Sequence, residues 1–74
     1  MKIFYDDQAD AVYIQLSQLK PDGVVEVKKE INLDVTSDGK IVGIEILNAS
    51  ERLDDLKTIF SYEIDTPMNQ LKTA

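Results

Sequence analysis

Two runs of alternating apolar residues on either side of an Asp38-Gly39 pair constrain this chain more than any other feature of it. Ile31, Leu33 and Val35 precede the pair and Val42, Ile44 and Ile46 follow it. A period of two belongs to strands with one buried face. Asp-Gly favours a two-residue hairpin turn, because glycine takes the positive φ that other residues resist. Such a turn sets Val35 against Val42, Leu33 against Ile44 and Ile31 against Ile46. A slip of one residue would oppose each apolar set to polar neighbours, so the pattern specifies its own register. The alternation reaches back to Val25 and Val27, with Lys29 the single interruption, and predicts one long strand with a bulge or bend at that lysine.

A second hairpin lies nearer the N-terminus. Met1, Ile3 and Tyr5 alternate before the polar stretch Asp7-Gln8-Ala9-Asp10, and Val12, Ile14 and Leu16 alternate after it. A four-residue loop pairs Asp6 with Ala11, Tyr5 with Val12 and Ile3 with Ile14, which puts Phe4 opposite Tyr13 on the other face. Lys20-Pro21-Asp22-Gly23 has the proline and glycine of a turn and separates the two hairpins. After Leu47 the period lengthens. Asn48 and Glu51 have capping-box spacing, Ser50 is a rival cap, and Leu53, Leu56 and Phe60 recur at helical intervals. Phe60, Tyr62 and Ile64 also alternate as a strand would, which leaves an extra C-terminal strand open. The expected fold is an α+β domain spanning residues 1–66, a four-stranded antiparallel sheet of two hairpins with one C-terminal amphipathic helix. Thr66-Pro67 is expected to break the structure and residues 67–74 to fray.

Composition narrows the chemistry. With 74 residues the chain has a small core, and the absence of cysteine and histidine removes disulfides, thiolates, imidazole ligands and the usual general base near neutral pH. No catalytic, cofactor or metal residues are therefore assigned, and the chain is read as a non-enzyme. The formal charge of -6 opposes binding to nucleic acid and anionic membranes. No apolar run is long enough to span a bilayer, and the cytoplasm is the expected location.

The hairpin residues carry a resemblance. Tyr5-Asp6 and Ala9-Asp10-Ala11-Val12-Tyr13-Ile14, followed by Leu33-Asp34 and the run Asp38-Gly39-Lys40-Ile41-Val42-Gly43-Ile44-Glu45-Ile46-Leu47-Asn48-Ala49-Ser50, resemble the small prokaryotic family catalogued as domain of unknown function 2283. The resemblance covers about the first fifty residues. It implies a compact sheet-plus-helix domain of bacteria or archaea with no established activity. Because some relatives are encoded beside small toxin-like proteins, it also implies an antitoxin- or immunity-like role beside another small protein.

Three constellations invite a functional reading. Asp34, Thr36, Asp38, Gly39 and Glu45 have nearly the spacing of a calcium loop, but strands rather than helices flank them, so calcium is not expected to bind. Asp6, Asp7 and Asp10 crowd one loop, where aspartates ordinarily tie down backbone. An alternative function, a small ligand- or metal-binding enzyme, would draw its carboxylates from Asp6, Asp10, Asp34 and Glu45. The outer sheet face is the third. Phe4, Tyr13, Gly43 and Leu47 are not what a solvated face needs, and Gly43 inside a strand signals a close approach. With Glu45 as a polar rim and Tyr62 and Ile64 from the tail, these residues form the candidate interaction surface. The expected partner is a second copy in a two-fold dimer, or another small protein.

Overall fold

The computed structural model describes residues 1–65. Five strands form one antiparallel sheet: β1 (Lys2–Asp6), β2 (Ala11–Gln15), β3 (Gly23–Lys28), β4 (Ile31–Val35) and β5 (Ile41–Leu47), in the order β1-β2-β5-β4-β3. One helical turn, α1 (Ala49–Arg52), and a 3-10 turn, Leu56–Phe60, follow the sheet. The chain is thus α+β, with five strands rather than four.

The additional strand comes from the chain around Lys29. Lys29 is not a bulge in a long strand; it lies in a tight turn between β3 and β4, and Glu30 beside it has φ 70°. The bulge falls two residues earlier, where Glu26 pairs with Asn32 and Lys28 with Ile31, leaving Val27 as the extra residue. A left-handed glutamate is strained unless its surroundings hold it. Here the Glu30 carbonyl accepts the Leu47 N–H at 2.8 Å, and its carboxylate accepts from the Asn48 side chain and pairs with Arg52 at 3.5 Å.

The β1–β2 register is Ile3 on Ile14, Phe4 on Tyr13, Tyr5 on Val12 and Asp6 on Ala11, as the alternation predicts. In the β4–β5 hairpin Leu33 faces Ile44 and Ile31 faces Ile46 as expected, but Val35 pairs with Ile41 and not with Val42. The turn is longer than two residues. Gly39 N–H donates to the Thr36 carbonyl and Thr36 N–H to the Lys40 carbonyl, so Ser37 and Asp38 occupy the turn centre. Gly39 follows them at φ 90°, and the register shift places Val42 in a bulge. A Cβ at Gly39 would meet nothing within 4 Å, so the constraint there is purely conformational. Gly39→Val is expected to lower stability by about 1–2 kcal/mol, the cost of a left-handed L-residue, read as a shift in the urea midpoint with an unchanged slope.

The C-terminal half of the expected helix is absent. Leu53 turns to an extended conformation (φ −99°, ψ 134°), and the chain restarts as a 3-10 turn whose first N–H groups are met by Asp55, including its side chain to Lys57 N–H. Asn48 stands before α1 but in a left-handed conformation with no side-chain cap, so the capping box with Glu51 does not form. Residues 61–65 make no strand, which removes the extra C-terminal strand read at Tyr62 and Ile64. The expected break at Thr66-Pro67 and the frayed tail lie outside the described residues.

Candidate functional site

Strand alternation separates two faces. The inner face carries Ile3, Tyr5, Val12, Ile14, Leu33, Ile31, Ile44 and Ile46, whose registers align across β1, β2, β5 and β4. On the β1 side of it Ile59 and Phe60 line an open hollow with Ile3 and Tyr5, and α1 lies against β5. Ile14, Leu33 and Ile44 at the sheet centre stay only partly buried. On β3 every residue is exposed.

The outer face is organised by one diagonal stripe. Lys2 places its ammonium 5.6 Å from the centre of the Phe4 ring, and the Phe4 and Tyr13 rings meet at 6.4 Å and 41°. Tyr13 then reaches across β5 and donates its hydroxyl to Asp34 Oδ2 at 2.8 Å. Gly43 lies beneath that ring and is buried. The close approach signalled by this glycine is therefore made by the chain's own Tyr13, and Gly43 presents no surface of its own. Burial first, and then the bond to Asp34, push the Tyr13 hydroxyl above its ordinary pKa. Glu45, cross-strand neighbour of both Tyr13 and Asn32, accepts from the Asn32 side chain at 3.1 Å. Leu47 ends the strand opposite Ala11 at the sheet margin.

Of the carboxylates singled out above, Asp6, Asp10, Asp34, Asp38 and Glu45 accept hydrogen bonds from their own chain. Asp6 accepts the N–H groups of Gln8 and Ala9 at 3.0 and 3.2 Å and so folds the first loop. Asp10 is a long-range cap: its carboxylate accepts the Ser50 hydroxyl at 2.6 Å and the Ser50 N–H at 3.1 Å, and its carbonyl accepts the Ala49 N–H. The Ser50 hydroxyl bond is the main reason the Asp10 carboxyl lies below its ordinary pKa, with partial burial opposing it. Tyr5 also donates to Asp10, at 3.2 Å, and desolvation first, then this bond, raise its pKa. In the calcium-like run, Asp34 is bound to Tyr13, while Asp38 accepts from Thr36 and lies 3.7 Å from the Lys40 ammonium. Among the described residues no three of the acidic side chains approach closely enough to share a metal ion.

Sequence reasoning found the aromatic pair and the special character of Gly43, but it missed the role of Asp10 and the whole of Glu30. The signal for Asp10 is faint: a polar residue of a type that tolerates positive φ, here 51°, placed directly before a strand. For Glu30 no local signal exists, since its partners lie 17 to 22 residues later.

An open antiparallel sheet followed by one helical turn and a 3-10 turn, with a self-contained aromatic stripe on its outer face, defines a small α+β domain. The chain belongs to the family described as protein of unknown function (DUF2283), whose model matches residues 2–50. That span takes in all five strands and ends on Ser50, the residue that Asp10 holds. No curated protein and no solved structure matches the chain. Among the described residues no helix is long and apolar enough to cross a membrane.

Proposed function

We propose that the chain is a non-catalytic protein-interaction module that works as a homodimer, its second copy supplying the apolar cover that one chain lacks. The observation that carries this reading is the shortage of core. Among the described residues only Val12, Val42 and Ala49 are buried apolar side chains, whereas Phe60, Tyr62, Ile64 and Phe4 remain 82, 75, 60 and 49 % exposed. Burying the part still exposed, about two thirds, of four such side chains from each of two chains, at ~1.5–3 kcal/mol for a whole side chain, gives roughly 8–16 kcal/mol gross. That is enough to offset an association cost of about 4–15 kcal/mol. The carboxylate enzyme is the weaker reading, because Asp6, Asp10, Asp34 and Glu45 each already bind donors of their own chain.

The finer form of the reading, an antitoxin- or immunity-like role, makes the second chain another small protein and rests on the family resemblance. Mass separates the two. Sedimentation equilibrium at micromolar concentration is expected to give about twice the 8.3 kDa chain mass. A single-chain mass across the accessible range defeats the homodimer.

A further inference from the structure

One edge of the sheet is chemically self-complementary. Strand β1 reads Lys2-Ile3-Phe4-Tyr5-Asp6 and lies at the end of the strand order, paired with β2 on one side only. Antiparallel pairing of this edge with a second copy must oppose residues of like orientation, so only registers whose paired numbers sum to an even value are allowed. The register centred on Phe4 pairs all five residues. It sets Lys2 against Asp6 at both ends, Phe4 against Phe4 at the two-fold axis, and Ile3 against Tyr5 twice on the inner face. Shifting the centre to Ile3 or to Tyr5 leaves the strand ends unpaired and opposes Phe4 to a charged residue. Among the described residues neither Lys2 nor Asp6 has an ion-pair partner within the chain, and Phe4 stands half exposed between them.

The opposite edge lacks these properties. Strand β3 is interrupted by the bulge at Val27 and ends in Lys28, with Lys29 next to it, two devices that discourage strand addition. The β1 edge is regular, and the exposed Phe60 lies beside its inner face with Ile3 and Tyr5. A copy joined there brings the two Phe60 rings toward the same axis, on the inner side, while the two Phe4 rings meet on the outer side. Apolar surface on both faces and charge at both strand ends are then matched by one symmetry operation.

We propose that two chains join through their β1 strands, antiparallel about an axis at Phe4, into one continuous ten-stranded sheet with reciprocal Lys2–Asp6 ion pairs. This assignment rests on the homodimer reading and specifies where that dimer forms.

Cysteine at the axis gives a direct test, since the chain has no cysteine of its own. Directly opposed residues of antiparallel strands lie about 4.5–5.5 Å apart at Cα, within disulfide range. Phe4→Cys is therefore expected to convert to covalent dimer on mild oxidation, whereas Val24→Cys on the opposite edge is expected to stay largely uncrosslinked. Lys2→Asp alone, and Asp6→Lys alone, are each expected to weaken self-association at least tenfold. An equimolar mixture of the two variants is expected to restore a two-chain mass, because every reversed residue then faces an opposite charge. Asp6 also folds the first loop, so circular dichroism accompanies these measurements. If Asp6→Lys fails to fold, Lys2→Asp and the two cysteine variants decide. A wild-type dimer in which Phe4→Cys does not crosslink and Lys2→Asp changes nothing overturns the β1 edge but leaves the homodimer standing. A monomeric wild type removes the homodimer itself.

Discussion

Gly43→Ala is expected to destabilise the domain by about 1–3 kcal/mol, the usual cost of forcing extra volume into a packed site. A Cβ at position 43 would stand 2.1 Å from the Tyr13 hydroxyl oxygen, 2.4 Å from Cζ and 2.9 Å from Cε1. No rotation of a methyl group relieves such contacts, so the ring has to leave. Leaving breaks the 2.8 Å bond to Asp34 and disturbs the contact with Phe4. In a domain this small the loss corresponds to a fall in melting temperature of roughly 5–20 °C. The sign of the effect depends on the ring. In a Tyr13→Ala background the clash is gone, and Gly43→Ala is expected to be neutral or to stabilise by about 0.5–1 kcal/mol, because alanine suits a strand interior better than glycine. Tyr13→Phe keeps the clash and loses only the bond to Asp34, so Gly43→Ala remains costly there. Thermal unfolding of the wild type and the five variants completes the cycle. An equal cost of Gly43→Ala with and without the Tyr13 ring would show that some other group excludes a side chain at 43.

The same pair illustrates what the sequence makes legible and what it hides. A glycine within an alternating strand announces a close approach, and the β1–β2 register follows from alternation on both sides of a four-residue loop. The identity of the approaching group does not follow. Tyr13 faces Glu45, and Gln15 faces Gly43, so the tyrosine covers the glycine along the diagonal between β2 and β5. Seeing this requires the pairing of two strands that are distant in the chain. The β3–β4 turn was hidden for a related reason. Lys28-Lys29-Glu30 contains no glycine, asparagine or proline, and Glu30 is held at positive φ by Leu47, Asn48 and Arg52. Local chemistry therefore read a continuous strand where long-range bonds impose a reversal. At the helix, the spacing of Leu53, Leu56 and Phe60 was genuine, but a helical period states only which residues share a side. It does not reveal that the chain extends at Leu53 and restarts at Asp55. The candidate surface was legible in the same partial way. Phe4 is exposed as the pattern implied, whereas Gly43 is already covered.

Asp10→Asn is expected to loosen the far end of the molecule and to remove a pH dependence that the wild type shows. Three non-glycine residues with positive φ, Asp10, Glu30 and Asn48, lie at one end of the sheet. They are joined by the Asp10–Ser50, Glu30–Asn48 and Glu30–Arg52 contacts. Of these side-chain contacts, the one from the Asp10 carboxylate ties the first loop to the start of α1, forty residues later, with the Ser50 hydroxyl at 2.6 Å and the Ser50 N–H at 3.1 Å, beside the backbone bond from Ala49 N–H to the Asp10 carbonyl at 2.8 Å. The chain that covers Ile3 and Tyr5 follows directly from that helix, so freeing α1 also frees the cover. Because these bonds hold the Asp10 pKa below its ordinary 3.8, the folded state binds the carboxylate form preferentially. Its contribution to stability is therefore fully present above pH 3.8 and is lost as the pH falls through the lower folded-state value. The amide of Asp10→Asn can still accept one hydrogen bond, but it carries no charge and does not titrate. Between neutral pH and the ordinary carboxylate range, wild type is expected to melt several degrees above Asp10→Asn, and the gap is expected to narrow as the medium is acidified below that range. Ser50→Ala, which keeps the backbone donor, is expected to fall between them at neutral pH. Amide exchange adds a local reading: protection at Ala49 and Ser50 is expected to drop in Asp10→Asn while the centres of β2 and β5 keep theirs. A constant gap at all pH values, or equal loss of protection across the sheet, would show that Asp10 does not act as this latch.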